Sequence, residues 1–172
     1  MEISIADKNS SLKGLVSLFG KSLAPQYISH SELQGYRAVR PGKWAKNIEY
    51  VLAKEIGARL KQPRRKLPIG RNWSGVIEAY EGRRLVGLAL ITMSRSAAVP
   101  FGVIEDIVID KKLRDGGRGE LIMDWIKSQM LAAGIKRLFL ESGIQNDRAH
   151  HLFERMGFRP VSVVMMQDLR KT

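Results

Sequence analysis

The residues from 114 to 119 form the stretch of this sequence that is best suited to chemistry. They read Arg-Asp-Gly-Gly-Arg-Gly and follow a short apolar segment. A glycine-rich turn that opens a helix leaves several backbone N–H groups unpaired at the positive end of the helix dipole. Glycine also allows a close approach that a Cβ would obstruct. The composition therefore indicates a site for a phosphate or pyrophosphate, although an ordinary strand–helix turn has the same composition.

A strand before this turn and a helix after it must position the site. The strand is predicted at Phe101–Ile109 and the helix at Gly117–Ala133. Gly134 is predicted to be the C-terminal cap of this helix. Apolar residues at helical spacing predict the face that is buried against a sheet: Leu121, Ile122, Trp125, Ile126, Met130 and Leu131.

Two motifs in this region resemble those of one enzyme superfamily. Arg114-x-x-Gly117-x-Gly119 resembles the Arg/Gln-x-x-Gly-x-Gly/Ala signature of the GNAT superfamily, the acyl-CoA N-acyltransferases. Residues 146–158 read Asn-Asp-Arg-Ala-His-His-Leu-Phe-Glu-Arg-Met-Gly-Phe, which is similar to the Asn-x-x-Ala-x-x-Leu-Tyr-x-x-x-Gly-Phe helix of the same superfamily. The resemblance implies an α/β fold whose central sheet is mixed, mostly antiparallel and flanked by helices.

The resemblance also implies that acetyl-CoA is the cosubstrate and which residues would bind it. Backbone groups of Ile107, Val108 and Ile109 would pair with the pantetheine arm, and Asn146 would reach the same arm. An N-cap role for Asn146 on the short helix is equally compatible with the sequence. The pyrophosphate would be bound by the Arg114 side chain and by the backbone amides of the residues that follow it: Asp115, Gly116, Gly117, Arg118, Gly119 and Glu120.

Glu105 is the candidate general base. An acyl group reaches an amine only when the amine is neutral, and an alkylammonium has a pKa of about 10. GNAT enzymes commonly place a carboxylate on this strand, and burial in an apolar strand would raise its pKa toward a useful value. Glu105-Asp106-Ile107 is also similar to the Glu-Asp-Ile of glucosamine-6-phosphate N-acetyltransferases. The alternative is a strand-edge carboxylate paired with an arginine; Asp106 should face the opposite side unless a bulge intervenes.

Phe153 stands where many GNAT enzymes have the tyrosine that protonates the departing thiolate. Phenylalanine can pack beside the thioester but cannot donate a proton. Another donor (Tyr80, a serine or water) would then serve, or the thiolate would leave unassisted. The expected activity is acetyl transfer from acetyl-CoA to a primary amine by direct attack in a ternary complex. The alternative is an acyl-CoA-binding regulator with an impaired site.

The charge of the chain is +12 and is unevenly distributed. Residues 1–74 hold 14 basic and 5 acidic side chains, against 15 and 12 in residues 75–172. The basic residues between 37 and 71, densest in Lys61-Gln-Pro-Arg-Arg-Lys66, indicate either a solvated face or an anionic partner. That partner could be coenzyme A, an acidic acceptor or a nucleic acid such as charged tRNA. Like charges argue against a polycationic acceptor, so we expect an amine that also carries phosphate or carboxylate.

Composition also limits the class of protein. The chain has no cysteine, and its three histidines are not spaced like metal ligands, so no metal is expected. It lacks an apolar run long enough to cross a membrane, and its first residues do not resemble a signal peptide. We therefore expect a cytoplasmic protein without a membrane partner.

The order of the remaining segments predicts one α/β domain over residues 1–172. Further strands are predicted at Glu2–Ala6, Gly75–Tyr80, Leu85–Thr92, Arg137–Glu141 and Pro160–Leu169. Further helices are predicted at Leu12–Leu23, Trp44–Leu60 and Asn146–Met156. The apolar residues Val161–Met166 of the closing strand suit either the core or pairing across a dimer, so a monomer and a homodimer both remain open.

Overall fold

The computed structural model describes residues 1–62, 67–68 and 71–169. Its strands are β1 (Glu2–Ile5), β2 (Ala38–Arg40), β3 (Lys43–Trp44), β4 (Trp73–Glu81), β5 (Arg84–Ser94), β6 (Phe101–Ile109) and β7 (Arg137–Leu140). Its α-helices are α1 (Leu12–Ser22), α2 (His30–Gln34), α3 (Ile48–Leu60), α4 (Arg118–Ala132) and α5 (Asp147–Arg155).

Five of the strands form one sheet in the order β1-β4-β5-β6-β7. The first three pairings are antiparallel, and only β6 and β7 run parallel. β4 and β5 are joined across the two-residue turn Gly82–Arg83, in which Gly82 has a φ of 57°. Hairpin turns of this length require positive φ angles, which glycine adopts without strain. The sheet is therefore mixed and mostly antiparallel, which confirms the predicted fold class.

Three helices pack on this sheet. α1 contacts β5 and β6, α3 contacts β4, and α4 contacts β5 and β6. α1 begins where the Ser11 Oγ accepts a hydrogen bond from the Gly14 N–H at 3.1 Å. α4 ends at a left-handed Gly134, whose N–H donates to the Leu131 carbonyl while the Ile135 N–H donates to Met130. This is the cap that the sequence predicted for Gly134.

The chain divides into two compact units. One contains Met1–Leu23 and Lys46–Glu141, and therefore holds the five-stranded sheet and its three helices. The other contains Ala24–Ala45 and the described part of Ser142–Thr172, with α2, the β2–β3 ribbon and α5. The prediction of one domain over residues 1–172 stays a prediction.

The second unit joins two distant chain segments around a glycine. A Cβ on Gly143 would collide with the carbonyl oxygens of Gln26 and Ile28, so only glycine fits there. Nearby in this unit, the Trp44 indole N–H donates to the Ala24 carbonyl at 3.2 Å, and its ring lies 6.1 Å from that of Tyr27.

Three sequence predictions about the elements are wrong. Residues 160–169 form no strand, and the side chains of Val163 and Met165 are 80% and 91% exposed. A strand needs a partner for its backbone hydrogen bonds, and an apolar run does not show whether one exists. Trp44 lies in β3, so the helix predicted from Trp44 begins at Ile48. In α4, Leu121 and Leu131 are exposed while Met123 is buried, because the buried face is rotated from the predicted one.

The most basic run of the sequence lies partly outside the described residues, since residues 63–66 are not among them. Among the residues that the structure describes, no helix is long and apolar enough to cross a membrane.

Candidate active site

The parallel strands β6 and β7 pair over only four residues. The partners run from Phe101 opposite Arg137 to Ile104 opposite Leu140, where β7 ends while β6 continues to Ile109. Within the described part of the chain, no strand lies beside this edge of β6 beyond Ile104. The predicted pantetheine residues 107–109 lie on that edge. An extended ligand could therefore add to the sheet there by backbone hydrogen bonds.

The loop from Asp110 to Gly117 carries the chain from β6 into α4. Asp115 and Gly117 both have left-handed backbones, with φ angles of 68° and 71°. Such angles are uncommon for residues other than glycine, although aspartate adopts them more readily than most other residues. Gly117 is the N-cap residue of α4 and has no side chain to cap the helix. The amides of Arg118 and Gly119 thus begin the helix at its positive end, where an anion is favoured.

The two arginines of the predicted phosphate motif differ in environment. Arg114 is exposed and its Nε donates to the Ile109 carbonyl at 3.4 Å, so its side chain lies near the end of β6. The Arg118 guanidinium instead forms an ion pair with Glu81 of β4, with Nε 2.8 Å from Oε1. The hydrogen bond from Arg118 lowers the pKa of Glu81. This pair joins residues 37 positions apart and was not predicted from the sequence.

Glu105 lies at a β-bulge. The β5 partners pass from Leu90 opposite Asp106 to Ile91 opposite Ile104, so Glu105 has no direct partner across the ladder. Its side chain is 31% exposed, whereas the whole Asp106 residue is only 2% exposed. Of the two neighbouring carboxylates, only that of Glu105 is accessible to a substrate.

Both oxygens of the Glu105 carboxylate are bound by side chains. Arg59 of α3 donates from Nη2 to Oε2, and Thr92 of β5 donates from Oγ1 to Oε1. The Arg59 Nη1 also donates to the Ile91 carbonyl at 3.4 Å, which fixes the guanidinium against β5. The expectation that Glu105 is buried among apolar side chains is therefore wrong. The alternative, a carboxylate paired with an arginine, is present as the pair with Arg59. Nothing in the spacing of the sequence pointed to Arg59 or Thr92.

Tyr80 is not brought near Glu105. Tyr80 pairs with Leu85 on β5, while Glu105 lies beside Leu90 and Ile91, about 17 Å further along the strand. Burial raises the pKa of the Tyr80 hydroxyl, and the neighbouring Glu78 raises it further. Tyr80 therefore lies far along the sheet from the candidate base Glu105.

The remaining predicted residues lie in the second unit. The Asn146 side chain donates from Nδ2 to the Ser142 Oγ at 3.2 Å and does not cap α5, although Asn146 occupies the N-cap position. Phe153 is buried on α5 and packs edge-to-face against Phe158, with ring centroids 6.3 Å apart. Among the described residues, no group of three or more histidine, aspartate or glutamate side chains could hold a metal ion.

The sequence of residues 45–158 matches the acetyltransferase (GNAT) family. The chain belongs to the GNAT family. The superfamily resemblance of the two motifs is thereby confirmed over more than half of the chain. No curated protein sequence matches this chain significantly.

Solved structures of three other proteins have a similar fold. A tetramutant of the BH1408 protein from Bacillus halodurans is 18% identical and has a TM-score of 0.68, with 98% of this chain and 100% of that chain covered. The aminoglycoside 6'-N-acetyltransferase AAC(6')-IG from Acinetobacter haemolyticus is 14% identical and has a TM-score of 0.66, with all of both chains covered. AAC(6')-Iy is 13% identical and has a TM-score of 0.64, with 99% of this chain and 98% of that chain covered. Its structure contains the bisubstrate analogue CoA-S-monomethyl-acetylneamine.

Proposed function

We propose that this GNAT protein is an N-acetyltransferase that uses acetyl-CoA and acetylates a primary amine of an anionic acceptor by direct attack in a ternary complex. The observation that carries the proposal is the edge of β6 beyond Ile104, which leads directly into the uncapped start of α4. An extended arm that ends in a pyrophosphate fits a strand edge followed by a helix N-terminus. The CoA-derived ligand of the similarly folded AAC(6')-Iy supports the same cosubstrate.

The cosubstrate would be held by two parts of the chain. Backbone groups of residues 107–109 would pair with the pantetheine arm, and the amides of residues 115–120 would bind the pyrophosphate together with the Arg114 side chain. Bound acetyl-CoA would supply the acetyl group as a thioester, so that one N–C bond forms, one C–S bond breaks, and the amine loses a proton.

Glu105 would accept that proton, directly or through a water molecule. Its carboxylate is accessible, and Arg59 and Thr92 fix its orientation from two sides. A general base in the correct orientation accelerates a reaction by a factor of about 10² to 10⁴. The departing thiolate would receive its proton from water, because Phe153 has no acidic group and Tyr80 lies far along the sheet.

The acceptor would carry a negative charge beside its amine. Two structural neighbours are aminoglycoside acetyltransferases by name or by ligand, but identities of 13% and 14% indicate a common fold alone. A polycationic aminoglycoside would be repelled by a chain of net charge +12. An aminated sugar phosphate, an amino acid or an aminoacyl group on tRNA would be attracted to the basic residues between 37 and 71. The cytoplasm would supply all of these acceptors together with acetyl-CoA.

A second candidate is an acyl-CoA-binding protein without turnover. Two observations favour it: Phe153 replaces a proton donor, and the Glu105 carboxylate is already bound by Arg59. Both candidates require the same cosubstrate site, so they differ only in whether an amine is acetylated.

Thermal unfolding with and without acetyl-CoA tests the shared part of the proposal, with ATP as an anionic control. Acetyl-CoA at a hundred times its dissociation constant should stabilise the fold by about 2.7 kcal/mol. Release of free thiol should then be measured with matched amines, such as glucosamine 6-phosphate, glucosamine and spermidine. We expect the phosphorylated amine to be acetylated fastest. Binding without thiol release from any amine would favour the second candidate, and the absence of binding would contradict both.

A further inference from the structure

The tip of the β4–β5 hairpin is tied to both ends of the loop that joins β6 to α4. Glu81 and Arg84 face each other across the two-residue turn. Arg84 donates from Nη2 to the Asp110 Oδ2 at 2.7 Å, at the beginning of the loop. Glu81 accepts from Arg118 at its end. The two ion pairs have opposite polarity, because the hairpin supplies the cation of one and the anion of the other.

Each nitrogen of the Arg118 guanidinium is committed to these contacts. Nε and Nη2 lie 2.8 and 3.1 Å from the two oxygens of Glu81, which is the two-pronged geometry that gives the strongest arginine–carboxylate pairs. Nη1 donates to the Leu113 carbonyl at 3.2 Å. A Cβ on Gly116 would collide with Nη1, so this glycine leaves the space that the guanidinium occupies.

We propose that Glu81 and Arg84 are positioning residues for the cosubstrate loop, a role that rests on the proposed function. Through Arg118 and Asp110 they would hold the backbone amides between 115 and 120 in the conformation that receives a pyrophosphate. The Arg118 side chain braces the loop and is not itself a phosphate ligand. The left-handed backbone of Asp115 is one of the features of the loop that these contacts would help to maintain. Binding groups fixed in advance lose less free energy on ordering.

Isothermal titration with acetyl-CoA tests this inference without any acceptor. Glu81→Ala should weaken binding roughly tenfold, by analogy with the residues that orient metal ligands, whose removal costs about 10-fold to 100-fold in affinity. Arg84→Ala should weaken it less, because the Arg84 side chain is 53% exposed, against 22% for Arg118. Arg83→Ala is the matched control: Arg83 is exposed in the same turn and makes no hydrogen bond or ion pair among the described residues. It removes the same charge as Arg84→Ala and should leave the affinity unchanged.

The sign of the Glu81→Ala effect separates positioning from simple electrostatics. Loss of a carboxylate makes the region more positive and releases Arg118, so charge alone would tighten the binding of a polyanion. Positioning predicts weaker binding. The loss should be equal for dephospho-CoA, which keeps the pyrophosphate and lacks the 3′-phosphate.

Gly116→Ala provides a second route to the same result, because its methyl group would displace the Arg118 guanidinium while Glu81 stays in place. Unaltered or tighter binding by Glu81→Ala, or an equal loss in Arg83→Ala and Arg84→Ala, would overturn the inference. Failure of the unaltered protein to bind acetyl-CoA would instead overturn the proposed function.

Discussion

Arg59 of α3 and Glu105 of β6 form an ion pair at the point where β6 bulges away from β5. The pair gives the proposed base a fixed orientation, with Thr92 on the other carboxylate oxygen. It also means that an amine must approach a carboxylate that already has partners. Substitutions on either side of the pair distinguish support of catalysis from obstruction of the base.

Glu105→Gln removes the proposed proton acceptor and keeps the shape of the side chain. We expect the turnover number to fall by about 10² to 10⁴ at neutral pH, since a general base contributes that much. The affinity for acetyl-CoA should be unchanged, because the proposed binding residues are elsewhere. Turnover is measured by thiol release and affinity by titration. Glu154→Gln, exposed on α5, is the control. Undiminished turnover in Glu105→Gln would exclude Glu105 as the base.

Arg59→Met and Arg59→Lys test whether the ion pair orients the base. If it does, the methionine variant should lose roughly tenfold in turnover at constant acetyl-CoA affinity. The lysine variant should recover part of the loss, because lysine keeps the charge but not the planar geometry of the guanidinium. An increase in turnover in either variant would show that Arg59 restrains Glu105.

Phe153→Tyr restores the hydroxyl that many GNAT enzymes carry. Because we propose that water protonates the thiolate, we expect no marked gain in turnover. We also expect a lower melting temperature, since a hydroxyl buried beside Phe158 without a partner costs about 1–3 kcal/mol. The measurements are thiol release and thermal unfolding. A large gain in turnover would support the acyl-CoA-binding candidate as a decayed enzyme.

Glu78→Gln should make the protein more stable at neutral pH. Burial raises the pKa of Glu78 above 4.5, although a hydrogen bond from Ser10 at 2.9 Å opposes the shift. A raised carboxyl pKa means that the folded state binds more protons than the unfolded state, so stability is lost as the pH rises through the folded pKa. The melting temperature of the variant should therefore exceed that of the unaltered protein at pH 8. The difference should disappear as the pH falls toward 4.5. A constant difference across this range would contradict the assignment to Glu78.

Local signals in the sequence predicted the elements around the loop well. The bounds of β6 are those predicted, and α4 differs from its prediction by one residue at each end. Both elements are indicated by the positions of glycines and by the spacing of apolar residues, which are local properties of the sequence. The strands predicted at Gly75–Tyr80 and Leu85–Thr92 are present within β4 and β5 for the same reason.

Contacts between distant segments could not be predicted in this way. Arg59 meets Glu105 across 46 positions and Arg118 meets Glu81 across 37, and charge alone does not select one partner among the many basic side chains of this chain. The prediction of a strand at residues 160–169 was wrong for a related reason. Its apolar composition satisfies the preferences of a strand, but a strand exists only where another one accepts its hydrogen bonds.

Because β7 ends early, the edge of β6 at residues 107–109 is open within the described part of the chain, and this affects which substitutions these residues can tolerate. Recognition at residues 107–109 would depend on main-chain N–H and C=O groups, which every residue except proline presents alike. Side chains there could therefore be exchanged within the limits of core packing while cosubstrate affinity persists. Only proline would be excluded from the positions that donate. In a saturation library over these three residues, apolar substitutions should keep the cosubstrate affinity, whereas polar residues at the buried Val108 should destabilise the fold and proline should remove a backbone donor.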